Sequence, residues 1–289
     1  MEFVNTTFTY GTRIAPDPIL VRLADLCSAQ ERLLHKHLAR GGKLDQAIKN
    51  DTMVRTGLPS RYYNGIMTML DGKHQAVREL TKLQVTEVKE RIKQITKKVY
   101  RLEQDAADIA ADPKAKRAAK RIGKITLAIH GKKRKAVALG LRLERFKADM
   151  DAAVPTLCFG SKKLFRKQFH LSENGYRQHG EWLKDWQKAR GSQFMITGSH
   201  DEVSGNMTCA SSVEADGSIS IKLLIPSTLR VDERRYAVFS HIRFGHGHAE
   251  VSAAIAAANA ARPDIAAYQA QTKRDVAALT AANKGLDVE

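Results

Sequence analysis

Two stretches of alternating four- and three-residue apolar spacing constrain the fold of this chain more than any other feature. Val88, Ile92, Ile95, Val99, Leu102, Ala106 and Ile109 form one seam. Beyond Asp112-Pro113, a second seam runs through Ile122, Ile125, Ile129, Ala136, Leu139, Leu143, Phe146 and Met150, with Lys132 as its polar member. A heptad repeat of this kind keeps one helix face apolar for many turns, and that face needs a second helix to cover it. Proline interrupts helical hydrogen bonding, so the chain is expected to reverse at Asp112-Pro113. The two arms are then predicted to pair as an antiparallel helical hairpin.

The returning arm is chemically lopsided. From Lys114 to Lys147 it holds 13 Lys or Arg and a single acid, Glu144. A solvated face normally mixes its signs and gains from Glu–Lys pairs one turn apart, of which an arm with a single acid can make few. The whole chain carries a net charge of +17. Residues 1–150 hold 31 basic and 16 acidic side chains, whereas 151–289 hold 17 and 15. So asymmetric a field calls for a polyanion, and nucleic acid is the leading one, because neutralising phosphates releases their counterions. Lys132, Lys133, Arg134, Lys135 and Arg142 are the expected contacts on this arm. Composition does not separate RNA from DNA.

The rest of the chain alternates between two periods. Residues 2–14 are rich in Phe, Val, Thr and Tyr and read as a strand, ended by Pro16 and Pro18. From Asp17 the spacing of Leu20, Leu23, Cys27, Leu34 and Leu38 is helical, and Gly41-Gly42 stops it. A further helix is expected from Leu58-Pro59-Ser60, with Ser60 as N-cap. After Val154-Pro155, strands are expected at 156–159, 194–198, 203–213, 218–225 and 236–244, with a hairpin turn at Asp216-Gly217. Ser172–Ala189 reads as a helix carrying Trp182, Leu183 and Trp186, and 249–289 as an Ala-rich helical tail broken at Pro263. The expected fold class is α+β. A β-barrel or sandwich is formed by 1–15 and 151–248, a helical domain at 16–150 interrupts it, and the tail follows.

A second cationic cluster is Phe159-Gly160-Ser161-Lys162-Lys163-Leu164-Phe165-Arg166-Lys167-Gln168-Phe169. Glycine and serine allow close backbone approach, and the cations suit phosphates. Lys162, Lys163, Arg166 and Lys167 are expected to bind, while Phe165 and Phe169 are expected in the core of a strand-to-loop corner. In His241-Ile242-Arg243-Phe244-Gly245-His246-Gly247-His248, His246 and His248 would share a face on a strand. No carboxylate or cysteine cluster adjoins them, so hydrogen bonding to backbone or phosphate, together with Arg243, is the expectation over a metal.

Hydrolytic chemistry has little to stand on: Gly-x-Ser-x-Gly, a Walker A sequence and GxGxxG are all missing from the sequence. Asp201-Glu202, Asp232-Glu233 and Glu250 read as solvated loop acids. Cys27, Cys158 and Cys209 are too dispersed for a disulfide framework or a zinc pair. The amino terminus lacks the pattern of a secretory signal, and the longest apolar run is far below the roughly 18 residues of a membrane span. A cytoplasmic, bacterial setting is expected.

LCFGSKKLFRKQFHLSENGYRQHGEWLKDWQKARGSQFMITGSHDEVSGNMTCASS resembles the wedge domain of TnpB, the OrfB-type protein of insertion sequences, whose relatives include compact type V CRISPR effectors. LPSRYYNGIMTMLDGKHQAVRELTKL resembles the recognition-lobe helix of that family, and RYAVFSHIRFGHGHAEVSAAIAA the end of its wedge barrel. FGSKKLF is the most specific part. The resemblance implies a wedge-type barrel interrupted by a helical recognition domain, with guide RNA and target DNA as partners. The wedge cations would then meet scaffold or heteroduplex phosphates, while Arg61, Tyr62, Asn64 and Lys73 would lie near the target-adjacent duplex motif. The family's RuvC nuclease acids and zinc ribbon find no match here, and Asp287 only faintly resembles the first RuvC strand. Cleavage and Mg²⁺ are therefore expected only with a second, RuvC-bearing chain, and this chain by itself needs no cofactor. Three other readings stand beside this one: a guide-independent RNA or DNA binder acting as repressor or chaperone, a metal-dependent nuclease active alone, and a protein scaffold.

Overall fold

The computed structural model describes residues 9–111, 117–198, 206–261, 271–272 and 274–276. The expected strand over 2–8, the Asp112-Pro113 break, Lys114, Lys116, Asp201-Glu202, Pro263 and Asp287 lie outside the described residues. The fold is α+β: mostly helical, with one small antiparallel sheet. It divides into two compact units, one made of Met1–Met69 with Phe159–Glu289, the other of Leu70–Cys158.

The second unit is the helical hairpin. Helix α3 runs unbroken over Ser60–Ala111, crossing from the first unit into the second, and its 52 residues give it a length of about 78 Å. Helix α4 covers Ala118–Asp151. Val85, Val88 and Phe146 form a buried cluster against Ile92, Leu139 and Leu143, which pairs the arms antiparallel. The Arg78 guanidinium donates to the Ala153 carbonyl at 2.6 Å, and Lys133 meets Glu103 at 2.8 Å, holding the same register at two further points. Both seams are less exposed than the positions between them, as the heptads require, except at Met150, which the end of α4 leaves exposed. Lys132 lies half-buried among them, its charge tolerated because a long stem can reach the edge.

The first unit begins with α1, Pro18–Ala39, whose start is set by chemistry at both positions: Asp17 accepts from the Ile19 amide at 2.7 Å, and Pro18 occupies the first helical site. Helix α2, Gln46–Thr56, was not expected and ends at Gly57 in the left-handed region, φ 65°. A Cβ on Gly57 would collide with Ser227 Oγ, so glycine here serves both the turn and a close approach. Leu58, just before α3, and Tyr62, Tyr63 and Ile66 on its first turns are buried, and Tyr62 reaches the Leu224 carbonyl of β2.

The sheet is ordered β1-β2-β3: Cys209–Val213, Ile219–Leu224 and Tyr236–Ile242, all antiparallel. Asp216-Gly217 forms the expected turn. Asp216 Oδ1 accepts from both the amide and the hydroxyl of Ser218, and Gly217 takes φ 76°. Ile219 and Leu223 of β2 point inward, whereas Lys222 points outward over the Tyr236 ring. A register shift between Ile219 and Ile221 coincides with His241 at φ 57°, the signature of a bulge.

Three strand expectations are corrected. Residues 9–14 join no ladder; the Thr12 hydroxyl donates to the Arg243 carbonyl at 2.6 Å. Residues 156–159 and 194–198 are irregular, because β-propensity without a neighbouring strand leaves no hydrogen-bond partner to complete. The expected helix over 172–189 is a short 3₁₀ turn at Ser172–Asn174 followed, after Gly175, by the helix His179–Arg190. A helix over 248–261 opens the Ala-rich tail. No described helix is long and apolar enough to cross a membrane.

Candidate nucleic-acid interface

In the hairpin, α3 beyond Leu70 carries nine Lys or Arg and seven acids, whereas α4 carries ten and three. The α3 charges pair along their own helix, Lys82 with Glu79, Arg91 with Glu87 and Lys93 with Glu90. Among the described residues, ion pairs reach only Lys133 and Lys147 of the ten cations on α4. Lys133, Arg134, Lys135 and Arg142 are exposed, and Lys132 lies half-buried on the seam. Arg121, Lys135 and Arg142 share one heptad position, so they recur along a single side of the helix. Arg142 also rests its guanidinium 5.0 Å from the Phe146 ring, a packing contact that keeps the head group at the surface.

In the first unit the FGSKKLF segment is helical rather than a strand-to-loop corner. Ser161 caps the helix Lys162–Arg166 by accepting from the Leu164 amide at 3.3 Å, and a 3₁₀ turn, Lys167–Phe169, follows. A helix turn places Lys162, Lys163 and Arg166 outward. None of these three side chains pairs with another described residue. Lys167 sits 5.8 Å from the Tyr176 ring, whose hydroxyl donates to Asp185. The segment is anchored by Trp182, whose indole N–H donates to the Leu164 carbonyl at 2.8 Å.

The recognition-helix residues divide. Tyr62 is fully enclosed, and its hydroxyl donates to the Leu224 carbonyl at 2.9 Å; burial raises its pKa. It has no face open to a duplex and instead ties α3 to β2, which corrects its expected contact with DNA. Arg61 and Asn64 lie half-exposed, Asn64 accepting from Lys49 at 3.3 Å. Lys73 is half-exposed in the other unit. Lys49, which the sequence reading passed over, also stands 5.8 Å from the Tyr63 ring. Its position in α2 had no apolar pattern to mark it.

The expected His–Arg cluster is largely structural. β3 ends at Ile242, so His246 and His248 do not alternate on a strand. His248 Nδ1 accepts from the Phe244 amide, and its Nε2 therefore carries the proton that bonds the Gly217 carbonyl at 2.9 Å. Arg243 donates to the Asp216 carbonyl at 2.7 Å, and His246 lies 6.4 Å from the Tyr10 ring. The hydrogen bonds from Ser218, then Arg243 and His241, hold the Asp216 carboxyl down to about 2. Arg243 and His248 thus clamp the hairpin turn.

Among the described residues no three His, Cys, Asp or Glu converge as metal ligands. A cavity of about 400 Å³ lies beside Ser211, lined by Val251, Ala254 and Ile255, with Glu250 and Asn259 as polar members. Asn259 is occupied by the Ser211 carbonyl. Burial, then Glu31, pushes the Cys27 thiol up to about 12, which keeps it protonated and unreactive. No protein-family model, curated protein or solved structure matches this chain.

Proposed function

We propose that this protein binds structured RNA through its phosphates, as the wedge and recognition portion of a TnpB-like, RNA-guided assembly. In this reading it holds the guide RNA scaffold and the guide–target DNA heteroduplex and reads the duplex motif beside the target. One observation carries the nucleic-acid part: α4 presents ten cations against three acids, and most of those cations are exposed without an ion pair to another described residue. Opposed phosphates relieve that self-repulsion and release counterions. The discontinuity of the first unit, interrupted by the hairpin, supports the guided version, because a β-domain split by a helical recognition domain has that connectivity. The sheet β1–β3 and residues 9–14 would belong to the wedge barrel. With Tyr62 enclosed, Arg61 and Asn64 of the first unit are left to read the adjacent motif. Cleavage, with its Mg²⁺, belongs in this reading to a RuvC-type domain and is not proposed for the residues described.

Recovering the protein from its native host without nuclease treatment, and sequencing the RNA that accompanies it, tests this directly. The expected result is one dominant structured RNA with a variable end. A heterogeneous mixture would leave the second reading, a guide-independent RNA or DNA binder, which the α4 face alone supports. Absence of any nucleic acid, with no binding on addition, would sink both.

A further inference from the structure

The rings around the short helix Lys162–Arg166 form a ladder from core to solvent. Trp182 and Trp186 are buried and stacked, 5.9 Å apart with an interplanar angle of 14°. Phe165 leans on Trp186 at 5.4 Å, and Phe169 stands edge-on to Phe165 at 6.1 Å and 82°. Exposure rises along the series from 3% and 8% at the tryptophans to 42% at Phe165 and 68% at Phe169. The outermost ring is therefore held at its edge by a rigid aromatic base while much of it faces water. A phenylalanine left this exposed forgoes most of the burial open to it, and three outward cations, Lys162, Lys163 and Arg166, stand on the adjoining helix, three to seven residues before it.

We propose that Phe169, backed by Phe165, is a stacking platform for an unpaired base of RNA, with Lys162, Lys163 and Arg166 taking the flanking phosphates. This rests on the nucleic-acid reading above and adds to it a single-stranded subsite. Every base has an apolar face, so an exposed ring with cations on the adjoining helix suits unpaired strands with little sequence preference. A paired base has both faces covered by its neighbours and cannot use the platform.

The test compares a labelled 20-nucleotide oligouridine with an RNA duplex of equal length, titrated with the full chain over a range of salt. Phe169→Ala should weaken oligouridine binding about fivefold to a hundredfold, the range for one lost base–aromatic stack, with duplex binding unchanged. Its salt slope should stay that of wild type, because stacking releases no counterions. Phe169→Trp should bind oligouridine as well as wild type or better. Neutralising Lys162, Lys163 and Arg166 together should lower the slope by about 2. An unchanged oligouridine affinity in Phe169→Ala, or an equal loss on both probes, overturns the platform while leaving nucleic-acid binding intact. Loss of self-association in place of RNA affinity would assign the ring to a protein contact and likewise overturn it. If wild type binds neither probe, the platform and the proposed function fall together.

Discussion

The hairpin and the sheet-bearing unit solve the folding problem in opposite ways. In the hairpin, residues three and four apart do the work, and the two faces meet along one seam whose buried members include Val85, Val88, Val99 and Phe146. The sheet-bearing unit is stitched by contacts between distant stretches of chain: Tyr62 to the Leu224 carbonyl, Ser28 to the Gln193 carbonyl, Arg32 to the Arg190 carbonyl. The difference teaches where function can sit. A narrow seam leaves most of α4 open to carry charge, whereas the sheet-bearing unit uses many of its polar groups to hold itself together.

Substitutions can break or sharpen this contrast. The largest effect is expected from Trp186→Ala in the sheet-bearing unit. It removes a ring packed on Phe165, Trp182 and the Arg190 guanidinium, and should cost about 3–5 kcal/mol in urea unfolding. Phe146→Ala in the hairpin should fall toward the lower end of that range, since the seam can close partly around it. A larger loss for Phe146 would reverse the contrast. Gly57→Ala should cost about 1–3 kcal/mol by thermal melting, because φ 65° strains a Cβ that also strikes Ser227. A neutral result would mean that the junction between α2 and α3 is not packed as described.

The hairpin offers a change of opposite sign. Lys132→Leu completes the seam and should stabilise the protein by about 1 kcal/mol while lowering the salt slope of RNA binding by no more than about 1. The smallest effect should come from the turn clamp. The Asp216 carboxyl titrates at about 2 in the fold against 3.8 for an unperturbed group. Its ionised form is the one the fold favours, so its stabilisation is present above the unfolded value and is lost as pH falls toward the folded one. The difference in melting temperature between wild type and Asp216→Asn should hold constant above about pH 5 and shrink between about pH 4 and pH 2. A difference that grows on acidification would contradict the clamp.

What the sequence made legible follows the same division. The seams of α3 and α4 up to Phe146, the helix start at Asp17 and the Asp216-Gly217 turn are local signals, and the structure places each where its spacing says; Ser60, expected as an N-cap, is instead the first residue of α3. Helix α2 escaped because its buried side chains are Thr52 and Thr56, which leave no apolar stripe to read. The expectation that Tyr62 meets a duplex rests on the resemblance alone, and the groups that enclose it, the Leu224 carbonyl and the Phe194 ring, lie far away in sequence. Phe165 and Phe169 were expected in the core because they sit among strand-like neighbours. The Ser161 cap three residues before Leu164 is the signal that winds the segment into a helix and turns Phe169 outward. Charge sign was legible from the start, but which cations stand unpaired needed the pairing of α3 with α4.

The claim that one arm of the hairpin, and not the other, meets phosphates can be tested by a single paired measurement. Arg121, Arg134 and Lys135 on α4 are changed together to alanine, and Lys89, Lys97 and Lys98 on α3 are changed in a second variant; all six are exposed. The dependence of RNA affinity on salt is then measured for both against wild type. The α4 variant should lose about 2–3 from the slope, near 0.7–0.9 per phosphate contact, while the α3 variant keeps the wild-type slope. Equal slopes in the two variants would contradict the account, because they would make the excess charge a property of the whole surface and not of one face.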